Sequence, residues 1–235
     1  MNLFNKATDP LYYDSTEISW TETDGGQSPT KLLAEEYLEK YLDIKNKTII
    51  DIGSGTGTFF DFFKEKGATL IEGIEPSRKN FEVAKNKYPE ITVFNGSLEN
   101  YFSDKKFDRA ISVMVFEHIS DIKSSFEKIA GFLNDDGVFY LIVANMEYFL
   151  TPRFDYKLDI QDLPNNEHVV ASGRSYGTLF DIVRPIENYE TTAKGAGFKL
   201  KNTIPIFPTE KFMNFSPKYK EFEHTPIFKL LIFKK

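Results

Sequence analysis

The feature that most limits what this chain can become is a glycine cluster set between an apolar strand and a helix. Thr48-Ile49-Ile50-Asp51-Ile52 reads as a short buried strand, and Asp51 opens the run D-x-G-x-G-x-G through Gly53, Gly55 and Gly57. Phe59, Phe60 and Phe63 mark a helix directly behind it. Glycines at such a turn permit positive φ and let backbone approach a ligand closely. In parallel α/β sheets, the strand-to-helix turn at the carboxyl edge is where ligands bind, and the following helix start offers free N–H groups. The spacing rejects two phosphate loops. G-x-G-x-x-G would need glycine at position 58 or 60, where Thr58 and Phe60 stand, and the Gly-Lys-Ser/Thr of a Walker loop is absent.

Around this turn the chain alternates short apolar runs with amphipathic stretches. Ser28-Pro29 predicts a helix start, with Leu33, Tyr37, Leu38, Tyr41 and Leu42 on one face. Leu70–Glu75 is expected as a second strand, with Ser77 capping the next helix. Ile91–Phe94 and Phe107–Val115 read as the third and fourth strands. Ile122, Phe126, Ile129 and Leu133 share a helix face, and Asp135-Asp136-Gly137 turns into a fifth strand, Val138–Ala144. Such alternation implies right-handed βαβ units and a doubly wound, mostly parallel sheet covered on both faces. Residues 147–184 break the rhythm. They are aromatic and irregular, and a segment that long is expected to be an inserted lid. Pro185 opens a further helix ending at Gly195-Ala196-Gly197. Phe198–Ile206 and Ile227–Phe233 are expected to close the sheet as an antiparallel edge pair.

Composition narrows the partners. With 235 residues, the chain suits one domain spanning 1–235 with an inserted cap. A formal charge of −6 disfavours nucleic acid, which needs a basic surface. The absence of cysteine excludes disulfides, thiolate metal sites and Cys nucleophiles. Residues 1–10 lack the basic start and apolar run of a signal peptide. No stretch approaches the roughly 20 apolar residues of a membrane span, so a cytoplasmic protein without membrane attachment is expected. The 23 Phe and 12 Tyr exceed what a pocket needs, so most are read as core.

Four segments in order resemble a known family. They are the glycine run from Asp51, then Gly73-Ile74-Glu75-Pro76, then Asn95-Gly96-Ser97-Leu98, and finally Phe107-Asp108 with Glu117-His118 and Asp121 at the end of its strand. Together with Leu133–Gly137, they resemble class I S-adenosylmethionine-dependent methyltransferases of the small-molecule, ubiquinone-biosynthesis-like branch, over about residues 47–143. That resemblance implies a Rossmann-like seven-stranded sheet and S-adenosylmethionine as cofactor. The expected contacts are Asp51, Gly53, Ser54 and Gly55 at the methionine end, Glu75 and Pro76 at the ribose, Ser97 and Leu98 at the adenine, and Val115 near the methyl. Residues 1–46, with Tyr13, are expected over the cofactor. Tyr12 and Trp20 are read either as further cover or as a staple to the core. Ser97 departs from the acid usual in the family, which weakens the adenine assignment.

The expected reaction is methyl transfer to a small-molecule acceptor, with a hydroxyl oxygen favoured. His118 is the candidate base, because histidine titrates near neutral pH. His168 and Arg174 are expected to reach the substrate from residues 147–184, where Arg153 and Arg184 also lie. No metal is expected, since Glu117, His118 and Asp121 offer a donor set that suits Mg²⁺ poorly. Two other readings stay open: methylation of a protein or peptide, and a non-catalytic cofactor-binding subunit. The acceptor and the oligomeric state are open as well.

Overall fold

In the computed structural model, residues 2–9, 12–14, 29–174 and 177–235 are described, with backbone alone at Tyr13 and Arg174. The expectations for Ser28 and Trp20, and for the side chains of Tyr13 and Arg174, lie outside the described residues. A short helix α1 (Leu3–Ala7) leads to α2 (Pro29–Tyr41) and then to the alternating body. That body comprises β1 (Thr48–Ile52), α3 (Phe60–Glu65), β2 (Leu70–Glu75), α4 (Arg78–Lys87), β3 (Thr92–Asn95), β4 (Phe107–Val113), α5 (Ile122–Phe132) and β5 (Leu133–Ala144). Next come α6 (Met146–Leu150), β6 (Lys157–Asp162), β7 (His168–Arg174), β8 (Gly177–Val183), α7 (Ile186–Gly195), β9 (Lys199–Ile206), α8 (Glu210–Phe215) and β10 (Phe228–Lys234).

The main sheet runs β3-β2-β1-β4-β5-β10-β9. The first five strands are parallel, and β10 is antiparallel to both β5 and β9. The expected antiparallel pair is therefore present, but β10 lies inside the sheet and only β9 forms the edge. Strand order reverses between β1 and β4, the switch point that opens a crevice at the carboxyl ends.

Both faces of the sheet are covered, which explains the continuous apolar runs. Ile49 joins a core with Leu33, Leu38, Phe60 and Phe63 on one face. Its neighbours Ile50 and Ile52 pack with Phe126, Ile129, Phe139 and Phe233 on the other. Phe126 touches Phe139 and Phe233 edge-on, with centroids 5.7 and 5.3 Å apart, so the phenylalanine excess is largely core. Tyr41, expected on the buried face of α2, is 43% exposed instead. Leu133 is the first residue of β5, not the last of a helix. It pairs with Phe107 while Val138 pairs with Arg109, so the expected turn survives as a bulge.

Residues 157–174 and 177–183 are not irregular. They form a three-stranded antiparallel sheet, β6-β7-β8, inserted between β5 and α7. Ala7 of α1 packs on Val169, Ala171, Phe180 and Ile182 of this sheet. The Tyr12 ring meets Phe180 at 5.2 Å, and its hydroxyl donates to the Thr178 carbonyl at 2.8 Å. Of the two readings offered for Tyr12, the staple is the one seen, and it holds to the inserted sheet. Among the described residues no helix is long and apolar enough to cross a membrane.

Candidate functional site

The glycine run forms a hairpin-tight cradle. Gly53, Gly55 and Gly57 all have left-handed φ, of 73°, 58° and 78°. The amides of Gly53 and Ser54 both donate to the Ile74 carbonyl, at 2.8 and 3.0 Å, which pins the loop to the end of β2. A Cβ on Gly53 would stand 2.3 Å from a methyl of Val115, so loop and post-β4 turn are in contact. Val115 follows Met114, whose φ of 55° is strained for a non-glycine residue and sharply ends β4.

Glu75 closes this cradle. One carboxylate oxygen accepts the Gly55 amide and the other the Ser77 amide, each at 2.8 Å. Burial pushes its pKa up, and these two hydrogen bonds pull against that. Ser77 in turn caps α4 through Asn80 and donates its hydroxyl to Asp14, which also accepts the Arg78 amide at 3.2 Å. The N-terminal segment thus reaches the mouth of the cradle.

Asp51 sits behind the loop, 2% exposed, and does not line the cavity. Burial first, and the nearby Glu75 second, push its pKa up to about 8. Its Oδ2 and the Ser54 hydroxyl have no hydrogen-bond partner among the described residues. Gly53, Ser54, Gly55, Glu75, Pro76, Ser97, Leu98 and Val115 all line one cavity of about 1170 Å³.

That cavity continues to the inserted sheet. His118 ends the single turn Phe116–His118 after β4 and lines it too. Burial lowers the imidazole pKa, while Asp181 and the backbone at Ala7 and Phe180 act in the other direction. Glu117 is fully buried, accepts the Ala144 amide at 2.7 Å and is pushed up to about 8 by burial. Asp121 caps α5 through Ser124. Among the described residues no group of three or more His, Cys, Asp or Glu is placed to hold a metal ion.

The lid charges are placed differently from expectation. His168 does not line the cavity; its Nδ1 meets Asp162 at 2.9 Å across the β6–β7 hairpin. Arg184 is 2% exposed and holds the carbonyls of Phe116 and Ile119, both at 2.6 Å, and Glu167 at 3.1 Å. Arg153 does line the cavity, where its guanidinium lies over Tyr148 and caps α6 at the Tyr148 and Phe149 carbonyls. Sequence reasoning missed Asp181, Tyr148 and Tyr219, which wall the far end. The one available signal was an isolated acid in the apolar run Leu179–Val183.

Comparison with known proteins supplies the context. A family profile described as a methyltransferase domain matches residues 28–200. A protein of Invertebrate iridescent virus 6 that carries the name methyltransferase is 26% identical over 72% of this chain and 62% of its own length. The ubiquinone biosynthesis O-methyltransferase of Pelagibacter ubique is 32% identical over 43% of this chain and 44% of its own. The chain thus spans less than two thirds of either relative. A solved S-adenosylmethionine-dependent methyltransferase from Mesorhizobium loti superposes with a TM-score of 0.68 at 18% identity, covering 88% of this chain and 98% of that one. This likeness shows the fold, a Rossmann-like class I methyltransferase architecture.

Proposed function

The chain belongs to the methyltransferase domain family, and from that premise we propose that it moves the methyl group of S-adenosylmethionine onto a hydroxyl oxygen of a small molecule. The observation that carries this reading is the single cavity of about 1170 Å³ running from the glycine cradle to the inserted sheet. A pocket for one drug-sized ligand holds roughly 300–1,000 Å³, so cofactor and a modest acceptor have room side by side.

The residues of the cradle suit S-adenosylmethionine. Gly53 and Gly55 leave the backbone bare, and the unpartnered Asp51 Oδ2 and Ser54 hydroxyl are buried polar atoms close behind it. Glu75 retains acceptor capacity for ribose hydroxyls beyond the two amides it already takes. Ser97 and Leu98 would hold the adenine and Val115 the methyl end, and all three line the cavity. When bound, the cofactor supplies a methyl group already activated by sulfonium charge.

The chain contributes alignment, exclusion of water and a proton acceptor. His118 takes the acceptor's hydroxyl proton, and burial keeps its imidazole neutral and able to do so near neutral pH. The inserted sheet walls the acceptor end, which favours a small molecule, and the named O-methyltransferase relative supports oxygen.

Calorimetric titration tests the cofactor. S-adenosylmethionine and S-adenosylhomocysteine are expected to bind at micromolar concentration, and Gly53→Arg and Glu75→Ala to abolish binding. Preference for NAD would sink the reading. With binding established, labelled methyl transfer to a panel of hydroxylated small molecules is expected, and labelling of proteins alone would replace the small-molecule acceptor.

A further inference from the structure

The inserted sheet brings a carboxylate to the acceptor end. Asp181 lies in β8 and is 6% exposed, yet it lines the same cavity as His118. Its neighbours Phe180 and Ile182 pack with α1. Strand alternation therefore turns Asp181 to the other face, toward the turn after β4. The His118 ring lies against the backbone at Phe180, the residue before Asp181, and at Ala7.

Arg184 holds this arrangement in register. Its two terminal nitrogens donate to the Phe116 and Ile119 carbonyls, which flank Glu117 and His118. Its Nε meets Glu167, which also accepts the Asn188 amide at 3.0 Å. The turn carrying His118 is thereby bolted to the end of β8. Other charges stand nearby. Burial keeps Glu117 protonated up to about pH 8, Arg184 is met by Glu167, Lys6 precedes Ala7 on α1, and Asp9 lines the same cavity.

We propose that Asp181 acts through His118, its carboxylate stabilising the imidazolium that forms when the acceptor's proton arrives, while the backbone at Ala7 and Phe180 orients the ring. This rests on the reading of His118 as base. In that step the acceptor O–H bond breaks and the proton passes to the imidazole. The oxygen keeps the electron pair for its bond to the methyl carbon, and the carbon–sulfur pair stays on sulfur. The proton then leaves to water.

The chain has three histidines, so their titrations can be followed one by one by NMR in the full protein. Asp181→Asn is expected to lower the His118 pKa by about one unit or more, the loss of one close opposite charge. Asp162→Asn serves as control and is expected to leave the His118 titration unchanged. Asp181→Glu is expected to restore most of the His118 value. Calorimetry with S-adenosylhomocysteine runs alongside, and unchanged affinity in Asp181→Asn shows that the cradle is intact. An unmoved His118 titration in a variant that still binds S-adenosylhomocysteine overturns the proposal and leaves the methyltransferase reading standing. A wild-type protein that does not bind S-adenosylhomocysteine defeats that reading, and the proposal with it.

Discussion

Gly53 has no room for a side chain. Its φ of 73° is left-handed, and an added Cβ would meet Val115 at 2.3 Å. Gly53→Ala is expected to cost about 1–3 kcal/mol of stability and to abolish S-adenosylhomocysteine binding, as urea unfolding and calorimetry would register. Asp51 answers to pH. Its folded pKa is about 8, against about 4 for an exposed aspartate, so between those values the folded state holds the extra proton. The stability this group contributes is full below about pH 4 and is lost as pH climbs to about 8. Glu117, also held up to about 8, adds the same trend. Scanning calorimetry should show the ligand-free melting temperature falling from about pH 5 to about pH 8, with Asp51→Asn flattening the fall. At this scale the cradle was legible, because glycine spacing and a strand-end acid are local chemistry. The burial of Asp51 behind the loop was not, because it depends on what covers β1.

The inserted sheet shows where reading by element fails. Its first strand, Lys157–Asp162, is mostly polar, with Ile160 46% exposed, so no clean alternation announces it. Pairing with β7, and packing of β7 and β8 against α1, make it a sheet. The same packing explains why Arg184 is a clamp and not a substrate ligand. Arg184→Leu would strip the Phe116 and Ile119 carbonyls of their donor and leave Glu167 with Asn188 but without its cation. It is expected to cost about 3–5 kcal/mol, measured by urea unfolding. Arg184→Lys should recover little of that, since an ammonium cannot span the three acceptors of a guanidinium fork.

At the scale of the whole molecule, one cavity joins the glycine cradle to the inserted sheet. A ligand that binds only the folded protein stabilises it by about 2.7 kcal/mol at a hundredfold excess over Kd. For a chain of this size that is about 5–10 °C in melting temperature. S-adenosylhomocysteine is expected to produce that rise, and Glu75→Ala to remove it. The sequence by itself determined the parallel sheet, its order of strands and helices, and the residues of the glycine cradle. Those follow from hydrophobic period, turn chemistry and spacing along a few dozen neighbouring residues. Only the tertiary structure decided the acceptor end. Asp181 and His118 line one cavity, Arg184 clamps the turn that carries His118, and His168 lies outside that cavity. Each of those outcomes depends on which of two faces a strand presents after pairing with partners distant in the chain, and no local pattern carries that information.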